Sequence, residues 1–198
     1  MPVQRGAALD PEATKAKVLK AAGELFYERG VHAVGVNDIA ARANASKLSI
    51  YRYFQSKEGL VAAMVARRSE QTHEELAAEL AGIPPGAQRV LALFDAIRRG
   101  FTKNGYRGCP VINTSIDTRN QDEEVRTIAR THLNRYRKLL VTELEHGGFA
   151  KPRELAKQLT VLIEGAMVIS AVERSNEAGN HARAAAESLL GLGAPRAH

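Results

Sequence analysis

The chain of 198 residues holds a single cysteine, Cys109. One cysteine excludes an internal disulfide, and it excludes a zinc site built from cysteines. There is no glycine-rich phosphate loop and no His-Glu-x-x-His metal spacing. Cys109 with His132 or His146 offers a nucleophile and a base on paper, but no orienting third group or oxyanion motif accompanies them. A lone cysteine in such a chain serves more often as a small buried apolar group. No enzyme is expected, and with it no catalytic residue, cofactor or metal. β-Branched runs with period-two alternation are missing, so no sheet is expected. Internal repeats and low-complexity tracts are missing too. No apolar run approaches the roughly 20 residues that cross a bilayer, and no membrane partner is expected. No apolar stretch of the secretory kind follows Met1-Pro2-Val3-Gln4-Arg5-Gly6, so the expected location is the cytoplasm.

What is present is a folded, helical composition. Hydrophobic residues make up 44% and charged residues 25%, which suits a globular core. The net charge is +6, compatible with a polyanionic partner. Part of the excess is local. Between Asn44 and Arg68 lie Lys47, Arg52, Lys57, Arg67 and Arg68, with Glu58 the only acid. A solvated helix face explains that surplus equally well.

Capping signals divide the chain into helices. Asp10-Pro11-Glu12 opens the first, Val18, Ala22, Leu25 and Phe26 form its buried face, and Gly30 ends it. A short helix is expected from Val36 to Ala43, closed by Asn44 in a left-handed conformation. Ser46 caps a third helix, Lys47 to Phe54, and Ser56 caps a fourth that reaches about Leu80. Ile83-Pro84-Pro85-Gly86 is the clearest break. Helices are expected beyond it from Ala87 to about Lys103, Cys109 to Ile116, Asp122 to His146, Pro152 to about Ser175 and Asn180 to Leu190. The expected fold class is all-α: an N-terminal three-helix helix-turn-helix unit with the start of a connecting helix (residues 1–57) and a larger helical unit (residues 58–198).

The second and third helices carry the function. A major groove about 12 Å wide admits one α-helix, and exposed side chains on it reach base edges. Ile39, Ala40, Leu48, Ile50 and Phe54 offer apolar contacts to hold the helix pair rigid. Lys47, Ser49, Tyr51, Arg52, Tyr53 and Lys57 supply hydroxyl donors and cationic arms. Hydroxyls and lysines typically meet phosphates, and a basic residue early in the helix can meet guanine. The alternative is an aromatic patch that only packs helices together. It is accepted for Phe54 and disfavoured for Tyr51 and Tyr53.

The segment Gly30 to Leu60 resembles the N-terminal domain of TetR/AcrR-family transcriptional regulators. The likeness rests on Asp38-Ile39-Ala40, Ser46-Lys47, Tyr51 with Phe54, and Ser56-Lys57-Glu58 with Leu60, and it covers about residues 12 to 65. It implies an all-helical homodimer on double-stranded DNA. Residues at the positions of Tyr51, Tyr53 and Lys57 meet phosphates in such proteins. Those at Asn37, Lys47 and Leu48 lie near base edges, and Arg52 is a variable neighbour. The chain departs from the family where Gly-Val is usual (Asn44-Ala45), where His is common (Tyr53) and where Thr is frequent (Gly35).

In the larger unit, Leu155, Leu159, Leu162, Ala166 and Ile169 recur at heptad-like spacing, and the last helix offers Ala185 and Leu189. Completion of the monomer core is one reading. The resemblance favours a four-helix dimer interface and hence a palindromic operator. It also implies a small apolar or amphipathic effector bound inside this unit, releasing a repressor from DNA. Candidate pocket residues are Met64, Phe94, Phe101, Cys109, Ile112, Ser115, Ile116, His132, Tyr136, Glu164 and Met167. Glu164 stands on a mostly apolar helix, where an unpaired acid is costly to bury. A cationic ligand, Arg174 or water are its open partners. His132 and Tyr136 share a face one turn apart, suiting a polar anchor, although a helix surface is the simpler reading. Two alternatives stand beside the effector-released repressor. One is a redox-sensing regulator in which Arg107 favours the Cys109 thiolate. The other is a helical adaptor without effector.

Overall fold

A computed structural model describes residues 10–118 and 122–192, and among these residues it contains α-helices and no strand. The helices are α1 (Pro11–Arg29), α2 (Val36–Ala43), α3 (Lys47–Phe54), α4 (Lys57–Leu80), α5 (Ala87–Phe101), α6 (Pro110–Asp117), α7 (Glu123–His146), α8 (Pro152–Glu173) and α9 (Glu177–Leu189). The all-α expectation holds, and α2 and α3 have the expected bounds. Elsewhere the ends shift by up to three residues.

Local chemistry accounts for the early boundaries. The Asp10 carboxylate accepts from the Glu12 N–H at 3.0 Å to cap α1, with Pro11 in its first turn. Asn44 closes α2 in the left-handed region at φ 49 and ψ 49. The Ser46 hydroxyl accepts from the Ser49 N–H at 2.9 Å and starts α3.

Contacts group the chain into two compact units, and they divide it differently from the boundary expected at residues 57 and 58. Of the described residues, one unit comprises 10–68, 111–118 and 122–128; the other comprises 69–110 and 129–192. The first half of α4, all but the first residue of α6 and the start of α7 therefore belong with the N-terminal helices. The division was hidden where it cuts through α4 and α7, since no glycine or proline marks those two places.

The first unit buries Val18, Leu25, Phe26, Ile39, Ile50, Phe54 and Leu60. The second buries Leu93, Phe94, Tyr136, Leu140, Leu144, Leu159 and Ile163. Two devices tighten the second unit. A Cβ on Gly179 of α9 would lie 2.7 Å from Cγ of Arg98 on α5, so only glycine allows that approach. The Glu143 carboxylate, almost fully buried, accepts from the Gly86 N–H at 2.9 Å and from Nη1 of Arg89 at 3.0 Å. It thereby pins the Pro84-Pro85-Gly86 break to α7.

Helix α8 corrects one expectation. It spans 22 residues at a mean hydropathy of 1.5, long and apolar enough by length and composition to cross a bilayer. It reads so because it is apolar on both sides. Leu159, Ile163 and Met167 face the core, while Val161, Val168 and Val172 face outward.

Candidate nucleic-acid interface

The helix-turn-helix is built on an apolar seam. Ile39 of α2 and Ile50 of α3 are fully enclosed, and Phe54 closes the end of α3. Arg42 reaches from α2 to Glu24 and Glu28 on α1, at 3.4 and 3.9 Å. Gly35 lacks the hydroxyl of a Thr cap. The Asp38 carboxylate instead accepts the Gly35 N–H at 2.8 Å, so the start of α2 is still held.

Opposite the seam, α3 presents its outer face. Leu48 is 79% exposed, and Lys47, Tyr51 and Arg52 are exposed beside it. The Lys47 ammonium lies 5.9 Å from the Tyr51 ring centroid. The Arg52 guanidinium lies 5.1 Å from that of Tyr53 and donates to its hydroxyl at 3.0 Å. The Ser49 hydroxyl stands 2.8 Å from that of Ser46, within the cap. Asn37 is exposed on the first turn of α2. Leu48 is the exception to the expected apolar contacts: it points to solvent, while the other four line the seam or its border.

Lys57 differs from the free cationic arm expected. Its Nζ donates to the Val31 carbonyl at 2.7 Å, tying the first turn of α4 to the loop after α1. The same loop is held from α6. The Asp117 carboxylate accepts the Val31 N–H at 2.5 Å, and Nε2 of His32 stands 2.8 Å from the Asp117 carbonyl. Asp117 and His32 were not anticipated. They lie 85 residues apart, so no local pattern announces them. A half-open groove of about 110 Å³ lies beside this clasp, between Val31, Lys57, Val61 and Asp122. It is small against the several hundred Å³ of an ordinary ligand site, and none of the expected pocket residues lines it.

Comparison with known proteins places this geometry. The family described as bacterial regulatory proteins of the tetR family matches residues 18–64. The LmrA/YxaF-like transcriptional regulator C-terminal domain matches residues 86–184. The chain belongs to the TetR family. It is thus a DNA-binding, helix-turn-helix transcriptional regulator, and the family is one of regulators rather than enzymes. The chain is similar to the HTH-type transcriptional repressor NemR of Escherichia coli K12, with 26% identity over 89% of the chain and 94% of NemR. The solved reduced form of NemR superposes with a TM-score of 0.81, covering 88% of this chain and 95% of that one. The uncharacterized regulator Rv1255c of Mycobacterium tuberculosis is 36% identical over 38% of the chain, and the match spans 37% of its own length. The HTH-type transcriptional activator FasR of Mycolicibacterium smegmatis is 34% identical over 52% of the chain and 48% of its own length.

In this TetR-family chain the expected pocket residues fall into both compact units. Met64 is buried and Ile112 and Ser115 are half-buried in the first; Ile116, also there, is 70% exposed. It sits on the outer side of an eight-residue helix whose inner side is filled by Val111 and Thr114. In the second unit Phe94, Phe101, Cys109, His132, Tyr136 and Met167 are buried. His132 and Tyr136 are therefore core residues, not the helix surface that was the simpler reading. His132 is the centre of a polar cluster. Its Nε2 lies 3.6 Å from Sγ of Cys109, and its Nδ1 lies 2.9 Å from the Ser69 hydroxyl and 3.1 Å from Nε2 of His73. A neutral His132 accepts from the thiol at Nε2 only while its proton sits on Nδ1. Burial above all, then the charge of Arg135, lowers the His73 pKa to about 4. Ser69 and His73 were missed because their partners are 59 to 63 residues away.

Glu164 carries a buried Oε1 with no hydrogen-bond partner, and burial raises its pKa against the pull of Arg137. Arg137, not Arg174, is the cation that acts on it. On the expected dimer stripe, Leu159 and Ala166 are buried inside the monomer, whereas Leu155, Leu162 and Ala185 are half-buried and Ile169 and Leu189 exposed. The exposed apolar residues overlap that stripe only at Ile169 and Leu189. They are Val161, Val168, Ile169 and Val172 on α8, with Leu189 and Leu192 at the end of α9. With apolar residues around most of α8, spacing alone did not select the outward face.

Proposed function

We propose that this chain is a ligand-responsive repressor that binds a palindromic operator as a homodimer and leaves it when a small apolar or amphipathic effector binds. The observation that carries the reading is the exposed face of α3. Lys47, Leu48, Tyr51 and Arg52 stand outward on a helix anchored by Ile50 and Phe54. Ser49, Tyr53 and Asn37 flank it. Tyr51, Tyr53 and the first turn of α4 are assigned to phosphates, and Asn37, Lys47 and Leu48 to base edges. The exposed valines of α8 support a dimer, since a contiguous apolar face is costly to leave in water. An effector site in the second unit would draw on Phe94, Phe101, Tyr136, Glu164 and Met167. Repression, rather than activation, follows the NemR likeness over most of the chain; the FasR likeness covers half. The whole reading places the protein in the cytoplasm, with DNA, a second copy and a small molecule as partners. Selection of bound fragments from genomic DNA tests it: recovery of one palindromic sequence supports it, and recovery of no shared sequence refutes it.

The contact between Cys109 and His132 favours a second reading, a redox-sensing regulator. An imidazole at 3.6 Å can take the thiol proton and leave a thiolate, which attacks a peroxide oxygen to give a sulfenic acid and release hydroxide. NemR has been solved in a form described as reduced. Peroxide that weakens operator binding by the native chain but not by Cys109→Ser supports this reading; unchanged affinity in both removes it.

A further inference from the structure

The outer face of α3 is unusual in what stands at its middle. With 3.6 residues per turn, the direction opposite Ile50 and Phe54 falls on Leu48 and Arg52, one turn apart. Leu48, in the first turn, is the most exposed large apolar side chain among the described residues. The cationic arms on either side are drawn onto rings: Lys47 over Tyr51 and Arg52 over Tyr53. The leucine therefore stands between them with nothing packed over it.

A major-groove floor is almost wholly polar. Guanine, adenine and cytosine present ring nitrogens, carbonyls and amino groups, and the one apolar projection is the C5 methyl of thymine. A leucine set against an acceptor or donor would strip its water without replacing the hydrogen bond. Set against a methyl, it buries apolar surface on both sides. The N-terminal turn of a recognition helix is the part that meets base edges, and that is where Leu48 lies.

We infer that Leu48 reads a thymine methyl, so that each operator half-site carries a thymine beneath the first turn of α3. This rests on the DNA-binding reading above and adds the identity of a base and the group on it that is sensed. The neighbouring polar residues set register and read other positions. Leu48 rejects cytosine and uracil at this one by the missing methyl.

The test separates the two claims. A duplex selected from random sequence by the native chain is remade with each thymine in turn replaced by deoxyuridine, which removes the methyl and leaves pairing intact. Binding is measured for the native chain, Leu48→Ser and Leu48→Met. Because Leu48 makes no core contact, all three should give the same far-ultraviolet circular dichroism. The expected result is one thymine per half-site whose replacement weakens the native chain about fourfold, the equivalent of ~0.8 kcal/mol for one buried methyl. Leu48→Met keeps that sensitivity and Leu48→Ser loses it. Native binding that tolerates deoxyuridine everywhere, or an equal loss in Leu48→Ser, overturns the inference while leaving DNA binding intact. Failure to select any sequence overturns the DNA reading and the inference together.

Discussion

A Cβ placed on Gly59 would lie 2.3 Å from the carbonyl oxygen of Phe54. The last residue of α3 and the first turn of α4 thus meet backbone to backbone, with room for a hydrogen and nothing larger. Gly59→Ala must push the two helices apart or bend one of them. The expected cost is about 1–3 kcal/mol, in the range of overpacked interiors. Thermal unfolding followed by circular dichroism should show a lower midpoint, and operator affinity should fall with it because the end of α3 is displaced.

Lys57 does two things, and they can be separated. Its bond to the Val31 carbonyl means that Lys57→Ala should cost about 1 kcal/mol of stability, a cost that Tyr51→Phe should not share. Combined, Tyr51→Phe and Lys57→Ala should weaken binding to all sequences. The slope of log affinity against log salt should fall by about 0.9 for each phosphate that is no longer neutralised. An unchanged slope in a binding titration would remove Lys57 from the phosphate assignment, and unchanged affinity on Tyr51→Phe alone would remove Tyr51.

The Glu143 carboxylate serves Arg89 and the Gly86 N–H from a site closed to water. Glu143→Ala takes the carboxylate from Nη1 of a half-buried guanidinium, whose Nε and Nη2 still donate to the Ile83 carbonyl, and leaves the buried Gly86 N–H without its acceptor. The expected loss is about 3–5 kcal/mol, typical of breaking one side of a buried pair. Glu143→Gln retains an acceptor and should lose less. Urea midpoints of the three proteins give the order directly.

His73 makes stability depend on pH in a defined direction. Its pKa is held at about 4 in the folded chain, against 6.5 for an unperturbed histidine. Between these values the unfolded chain binds the proton and the folded chain does not. Stability is therefore fully present above pH 6.5 and declines as pH falls toward 4, below which His73 adds no further loss. Arg135 and Glu70 act on this ring, and His132 and Tyr136 pack against it. His73→Phe should lower the difference in urea midpoint between pH 7.5 and pH 5. An undiminished difference would mean that another group carries it.

The proposed dimer face can be tested without touching the core. Val168 and Val172 are exposed, and surface changes of this kind shift monomer stability by only about 0.5 kcal/mol. Val168→Lys with Val172→Lys should convert a sedimenting dimer to a monomer at micromolar concentration and weaken operator binding. A native chain that sediments as a monomer would rule out the homodimer.

Elements set by short-range signals could be read from the amino acids alone. Asn44, Ser46 and the spacing of Ile39, Ile50 and Phe54 define α2, the turn and α3 within a few residues of each other, so those bounds match. Properties decided by distant partners could not. Nothing near Ser69 or His73 announces His132, and nothing near Val31 announces Asp117. Helix α8 shows a third limit. Its sequence is apolar around most of the circumference, so period alone could not distinguish Leu159, which faces the core, from Val161, which faces out. The place of the unit boundary inside α4 and α7 was hidden for a similar reason, since helix signals continue straight through it.

The most direct test of sequence-specific binding through α3 is a fluorescence-anisotropy titration at physiological salt. The native chain and a variant carrying Lys47→Ala and Arg52→Ala are each titrated with the selected palindrome and with a scrambled duplex of equal length. The expected result is native binding at least about a thousandfold tighter to the palindrome than to the scrambled duplex, with most of that ratio lost in the variant. Equal affinity of the native chain for both duplexes, or a ratio unchanged by the two substitutions, would contradict recognition through this helix.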